Sequence, residues 1–218
     1  MDNIINDIEG ISYNQFMVRL FEICNDCNHE NYLSEIFIPL FRMCCCDNTK
    51  IVPVFDDRKT GPKTENETEA KNRIKTICAL KEDGDYVVPD YLYVTKEYSF
   101  YSPEKPILMI ETKKPLITYK KDKSAYYCEL SISDYEQQLL AEVRNCEPVI
   151  FTDGITWMFL KEENGCVTCD SRFGTISLLN LGDDYYNYRK IVNASEVISG
   201  WDELKKRINQ ILISKTLM

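Results

Sequence analysis

Apolar residues recur at helical spacing through Phe16, Met17, Leu20, Phe21 and Cys24. They predict an amphipathic helix over 13–27, with Ser12 at its N-cap. A second helix is expected from about Ser34, carrying Ile36, Phe37, Leu40, Phe41 and Cys44. Pro39 fits it only within the first turn, because deeper in a helix proline removes an N–H and clashes with the preceding turn. Residues 47–64 are polar, and Asp56-Asp57-Arg58-Lys59-Thr60-Gly61-Pro62 reads as an exposed loop. Thr64-x-x-Glu67 is a capping-box pattern that opens a charged helix over about 65–80.

The texture then changes. Tyr86-Val87-Val88-Pro89-Asp90-Tyr91-Leu92-Tyr93-Val94 and Ile107-Leu108-Met109-Ile110 are rich in aliphatic and aromatic residues and read as neighbouring antiparallel strands. Ser133-x-x-Glu136 is a second capping-box pattern, for a helix running to about Asn145. Val149 to Thr152, the turn pair Asp153-Gly154, and Thr156 to Leu160 predict a tight β-hairpin. From Trp201 to Ile213 the chain is amphipathic, with Trp201, Leu204, Ile208, Ile211 and Leu212 on one side. This order predicts an α/β (α+β) fold with a central mixed sheet flanked by helices. With no internal repeat or linker, residues 1–218 read as a single domain. Its core would span about 30–161, and residues 162–218 would form a C-terminal extension packed on it.

Composition narrows the setting. Hydrophobic residues make up 44% and charged residues 28% of 218, ordinary for a folded domain. No run approaches the about 18 apolar residues of a membrane span. The acidic start Met1-Asp2-Asn3-Ile4-Ile5-Asn6-Asp7 does not resemble a signal peptide, so a cytoplasmic protein is expected. Ten cysteines include the adjacent Cys44-Cys45-Cys46, a layout unsuited to a disulfide framework. The pairs Cys24/Cys27 and Cys166/Cys169 have zinc-knuckle spacing but lie far apart, so reduced thiols acting as small hydrophobes are expected. A net charge of −9 argues against a protein that coats nucleic acid, since neutralising phosphates requires clustered cations. One local basic patch exists in Lys113, Lys114, Lys120, Lys121 and Lys123.

Chemistry concentrates at the ends of the first two predicted strands. Asp90 interrupts a run of Tyr, Val and Leu, and Glu111 and Lys113 close the next strand. Residues two apart on a strand share a face, so neighbouring strands can bring Asp90, Glu111 and Lys113 into one pocket. Carboxylate oxygens suit Mg²⁺ or Mn²⁺, and the backbone carbonyl of Thr112 is a natural further ligand. A lysine beside such an ion can orient the attacking water or donate to phosphate oxygens, which suits phosphodiester hydrolysis.

Pro89-Asp90 followed by Glu111-Thr112-Lys113 resembles the PD-(D/E)XK nuclease signature. More specifically it is similar to the nuclease domain at the N-terminus of type I restriction endonuclease motor subunits. The resemblance implies a restriction-endonuclease-like core, metal binding by Asp90 and Glu111, and activation of water by Lys113. It also implies that Glu35, within Ser34-Glu35-Ile36-Phe37, completes the metal site from a helix. Gln137 or Gln138 would be the family's glutamine, and Phe151-Thr152-Asp153-Gly154-Ile155-Thr156-Trp157 its closing strand, turn and aromatic strand. The tyrosine often found four residues after that glutamine is absent, Ala141 and Glu142 standing there instead. These 218 residues include no helicase motor, so the resemblance does not imply ATP-driven translocation.

The function expected is a metal-dependent endonuclease, acting on DNA more than on RNA, in defence or mobile-element biology. Lys114, Lys120, Lys121 and Lys123 would grip the phosphate backbone. So short a chain would take its target choice from a protein partner, an oligomer or nucleic-acid shape. The competing reading is an inactive nuclease-fold binding or inhibitor module, whose acidic surface mimics DNA or docks a basic partner.

Overall fold

A computed structural model of the chain describes residues 10–26, 30–54, 79–82, 84, 86–99, 104–119, 125–179 and 195–217. Helix α1 spans Tyr13–Asp26 and α2 spans Ser34–Met43, entered through a 3₁₀ turn at Glu30–Leu33. Strands β1 (Thr49–Pro53), β2 (Ala79–Leu80), β3 (Tyr86–Val87), β4 (Tyr91–Thr95), β5 (Leu108–Thr112), β6 (Leu116–Tyr119) and β7 (Ala125–Cys128) follow. Helix α3 (Glu136–Asn145) precedes β8 (Val149–Thr152), β9 (Thr156–Glu163), β10 (Cys166–Cys169) and β11 (Thr175–Ser177), and α4 runs over Ser195–Thr216.

The main sheet is mixed, in the order β1-β4-β5-β8-β9-β10, with β11 also paired to β9. Strands β5 and β8 are parallel, joined by a crossover through α3, and the other pairs are antiparallel. Side chains alternate between its faces. Tyr91, Tyr93, Leu108, Ile110, Ile150, Trp157 and Phe159 join the core built with α1, α2 and α4. Leu92, Val94, Met109, Val149, Phe151, Met158 and Leu160 join a second core under Leu139 and Val143 of α3. Helices therefore cover both faces. Trp201, Leu204, Ile208, Ile211 and Leu212 of α4 are all at most 3% exposed. At about 1.5–3 kcal/mol per buried side chain, they contribute on the order of 10 kcal/mol before conformational entropy is subtracted.

Local chemistry explains the ends of α1 and α3. At α1, Ser12 and Gln15 form a reciprocal capping box. The Gln15 N–H donates to Ser12 Oγ at 3.3 Å, and the Ser12 N–H donates to Gln15 Oε1 at 2.9 Å. The Ser133 box does not form at α3. Ser133 Oγ pairs with Ser131 Oγ at 2.7 Å, and a 3₁₀ turn over Ser133–Tyr135 leads into the helix without a side-chain cap.

Several expectations are corrected. Pro39 lies in the second turn of α2. Its missing N–H would have served the carbonyl of Glu35, at the exposed start of the helix. Full burial of Ile36, Phe37, Leu40 and Phe41 outweighs a penalty of about 3 kcal/mol. Residues 49–53, expected in a loop, form edge strand β1, where a terminal Pro53 removes no essential ladder bond. Ala79 and Leu80, assigned to a charged helix, pair with Val87 and Tyr86 as a strand. The rest of that helix, its Thr64 box and the loop from Asp56 to Pro62 lie outside the described residues. Among the described residues, no helix is long and apolar enough to cross a membrane.

Candidate active site

The site lies where β4, β5 and β8 end together. Backbone bonds extend the ladder past the strands, from the Val54 N–H to the Asp90 carbonyl and from the Lys113 N–H to the Thr152 carbonyl, both 2.8 Å. Tyr91 faces Ile110, so one further step of the register sets Asp90 opposite Glu111. Asp90 Oδ2 accepts two hydrogen bonds from Thr112, one from its N–H and one from its hydroxyl, each 2.7 Å. These bonds tie the aspartate to the end of β5.

Glu111 shares a face with Met109, on the side covered by α3. It is 3% exposed, and its Oε1 accepts from Lys113 Nζ at 2.6 Å. Its Oε2 is buried without a hydrogen-bond partner. Burial and the neighbouring charge of Asp90 push the Glu111 carboxyl up to about 7, against the opposing pull of Lys113 and Gln138. Lys113 also lies 4.9 Å from the centre of the Tyr135 ring, which is packed edge-on against Phe151.

Helix α3 brings a second carboxyl to the site. Glu142 is fully buried, one step from Val143 and three from Leu139 on the inward face. Its Oε1 accepts from Gln138 Nε2 at 3.1 Å, while its Oε2 is buried and unpartnered. Burial raises its proton affinity well above the ordinary carboxylate range, and the charge of Glu111 adds to that rise.

No protein-family model, curated protein or solved structure matches this chain.

Of the residues singled out from the sequence, Asp90, Glu111, Thr112, Lys113 and Gln138 come together. Gln137, one step round α3, lines a surface cavity with Leu80, Lys81, Leu140 and Arg144. Glu35 lies on α2, over the opposite face of the sheet, and its exposed carboxylate pairs with Arg19 Nη2 at 2.7 Å. The inward face of α2 belongs to Ile36, Phe37, Leu40 and Phe41, which leaves Glu35 on the flank beside α1. Lys114 is half-buried, with its charge acting on the Cys24 thiol of α1, which burial pushes up to about 12. Lys120, Lys121 and Lys123 lie outside the described residues. So does Cys27, while Cys24, Cys166 and Cys169 are free thiols. Among the described residues, no group of three or more His, Cys, Asp or Glu is arranged to hold a metal ion.

Sequence reading missed Glu142. A signal was present, since a glutamate occupies the inward stripe of an amphipathic helix between Leu139 and Val143. Asp153, also buried, serves the hairpin turn. Its Oδ1 accepts from the N–H groups of Ile155 and Thr156, and its Oδ2 accepts from the Tyr127 hydroxyl at 2.5 Å.

Proposed function

We propose that the chain is a metal-dependent nuclease with a restriction-endonuclease-like core, hydrolysing phosphodiester bonds in DNA in preference to RNA. One observation carries the reading: buried Glu111 is paired with Lys113 beside strand-end Asp90, and its second oxygen has no partner. A structural ion pair on a strand exit would sit in water with both oxygens solvated. A dry anionic oxygen costs several kcal/mol unless something positive meets it. Oxygen ligands of this kind suit Mg²⁺ or Mn²⁺, which keep several waters and share phosphate oxygens.

Asp90, Glu111 and the Thr112 carbonyl would hold the ion. When bound, it would neutralise charge on the phosphate and lower the pKa of a coordinated water. Lys113, steered by Glu111 and the Tyr135 face, is positioned to orient the attacking water or to donate to a phosphate oxygen. Lys114, Lys120, Lys121 and Lys123 would contact the nucleic-acid backbone, and a second copy or a partner protein would supply target choice.

The test incubates wild type, Lys113→Ala and Asp90→Asn with labelled DNA and RNA in Mg²⁺, Mn²⁺ or EDTA. Asparagine at 90 keeps an acceptor for Thr112 while removing the charge. Cleavage by the wild type is expected to require the metal and to fall about 10²-fold or more in both variants. Equal activity in all three proteins overturns the reading. So does inactivity of the wild type on every substrate, and the chain's net charge of −9 then favours an acidic binding or inhibitor module.

A further inference from the structure

Both hydrogen-bond donors of Thr112 go to Asp90, and both go to the same oxygen. The Thr112 N–H and the Thr112 hydroxyl each donate to Asp90 Oδ2 at 2.7 Å. A carboxylate oxygen carries two lone pairs, so two short bonds saturate Oδ2. Any residue except proline could supply the backbone bond, whereas the second bond requires a hydroxyl. Thr112 is 5% exposed at the end of β5, where valine would fill the same space and suit a strand equally well. Packing alone therefore gives no reason for threonine here. Glu111 is arranged in a similar way. Its Oε1 accepts from Lys113 Nζ at 2.6 Å, and its Oε2 is buried without a partner. Each acid has one oxygen engaged by the protein, and Asp90 is barred from clasping one ion with both of its oxygens.

We infer that the Thr112 hydroxyl sets cation selectivity at the candidate active site: by saturating Asp90 Oδ2 it confines that carboxylate to single-oxygen coordination, which favours Mg²⁺ over Ca²⁺. The inference rests on the nuclease reading for the presence of a divalent ion, and on the two hydrogen bonds for everything else. Mg²⁺ demands a nearly ideal octahedral shell, keeps several waters and accepts one oxygen from a carboxylate. Ca²⁺ takes about six to eight oxygens in a flexible shell, commonly two of them from one carboxylate. Two bonds from the end of β5 also fix the direction of the Asp90 carboxylate, which matters most to the geometrically stricter ion. Thr112 acts here through Asp90, so its side chain is a positioning group. Removing such an outer partner typically costs about 10- to 100-fold in metal affinity.

The experiment titrates the full chain, stripped with EDTA and dialysed, with MgCl₂ and with CaCl₂ in a calorimeter. Wild type is compared with Thr112→Val, Thr112→Ser and Thr112→Ala. Valine keeps the shape and the backbone N–H but removes the hydroxyl, which opens one lone pair of Oδ2. Mg²⁺ affinity should fall about tenfold in Thr112→Val while Ca²⁺ affinity holds or rises, so the ratio of the two shifts by about tenfold or more. Thr112→Ser restores the donor and should return the ratio to that of the wild type. Thr112→Ala leaves space where valine places a methyl group, and it should shift the ratio as valine does.

Equal loss of both ions in the valine and alanine variants would mean that Thr112 merely supports the fold, and it overturns the inference. So does an unchanged ratio in either variant, or a serine variant that behaves like valine. The fate of the nuclease reading is separate. A wild type that binds Mg²⁺ with the expected pattern across the variants but cleaves no nucleic acid strikes that reading and leaves the selectivity role standing. A wild type that cleaves with Mg²⁺ while its ratio is indifferent to Thr112→Val strikes the selectivity role alone. Binding of neither ion overturns both.

Discussion

Replacing Glu111 with glutamine should stabilise the metal-free protein, and by an amount that depends on pH. The wild-type carboxyl is raised from 4.5 to about 7, with burial the largest cause and the charge of Asp90 the next. At about 1.4 kcal/mol per pH unit, holding it ionised in the fold costs about 3 kcal/mol relative to the unfolded chain. The sign follows from proton binding. Between pH 4.5 and 7 the folded state holds a proton that the unfolded state has released, so wild-type stability falls as pH rises through that window. Glutamine removes this dependence while keeping an oxygen to accept from Lys113, and it relieves the repulsion that Glu111 exerts on Glu142. The net gain at pH 8 should be about 2–3 kcal/mol, shrinking below about 1 kcal/mol at pH 5. Thermal unfolding in EDTA at the two pH values measures it, with an expected rise in Tm of about 5–10 °C at pH 8. A less stable variant at pH 8 would mean that the ion pair with Lys113 outweighs the burial of the charge. An equal gain at both pH values would mean that Glu111 does not titrate in this range. Either result would refute the reasoning.

Three further substitutions probe the scaffold around the site, each read by urea denaturation. Gly154→Ala places a Cβ 3.0 Å from a Leu20 methyl at a φ of +88°, and should cost about 1–3 kcal/mol; a neutral result would remove the need for glycine in the turn. Asp153→Ala strands the N–H groups of Ile155 and Thr156 and leaves the Tyr127 hydroxyl only Thr156 Oγ1 to donate to, and should cost about 3 kcal/mol, whereas a loss below 1 kcal/mol would show that water replaces the carboxylate. Ile208→Ala empties a fully buried position of α4 and should cost about 2–5 kcal/mol; tolerance there would mean that α4 is a dispensable cover.

Much of this architecture was legible before any coordinates. Periodicity located α1, α2 and α4, because their inward stripes are unbroken by charge, and it located β4, β5 and the β8–β9 hairpin, whose apolar runs are bounded by Pro, Asp and Gly. Strand β1 and the β6–β7 hairpin escaped it. Thr49-Lys50-Ile51-Val52-Pro53 is short and half polar, and an edge strand exposed on one side needs no strong hydrophobic signature. Asp90, Glu111 and Lys113 were conspicuous because a charge at the end of an apolar strand violates the local pattern.

The sequence by itself determined the strongly patterned segments, α1, α2, α4, β4, β5 and the β8–β9 hairpin, since i, i+3, i+4 spacing and apolar runs are local properties. It also determined that two neighbouring strands end in acidic residues, one followed closely by a lysine. Only the tertiary structure decided which acids share an environment. Glu35 and Glu142 both sit on amphipathic helices, yet α2 turns Glu35 toward Arg19, while α3 buries Glu142 beside Gln138 and Glu111. The rotation of each helix is set by its apolar stripe docking on one face of a sheet, and the face it meets depends on strands distant in the chain. Periodicity along one segment carries no record of that distance.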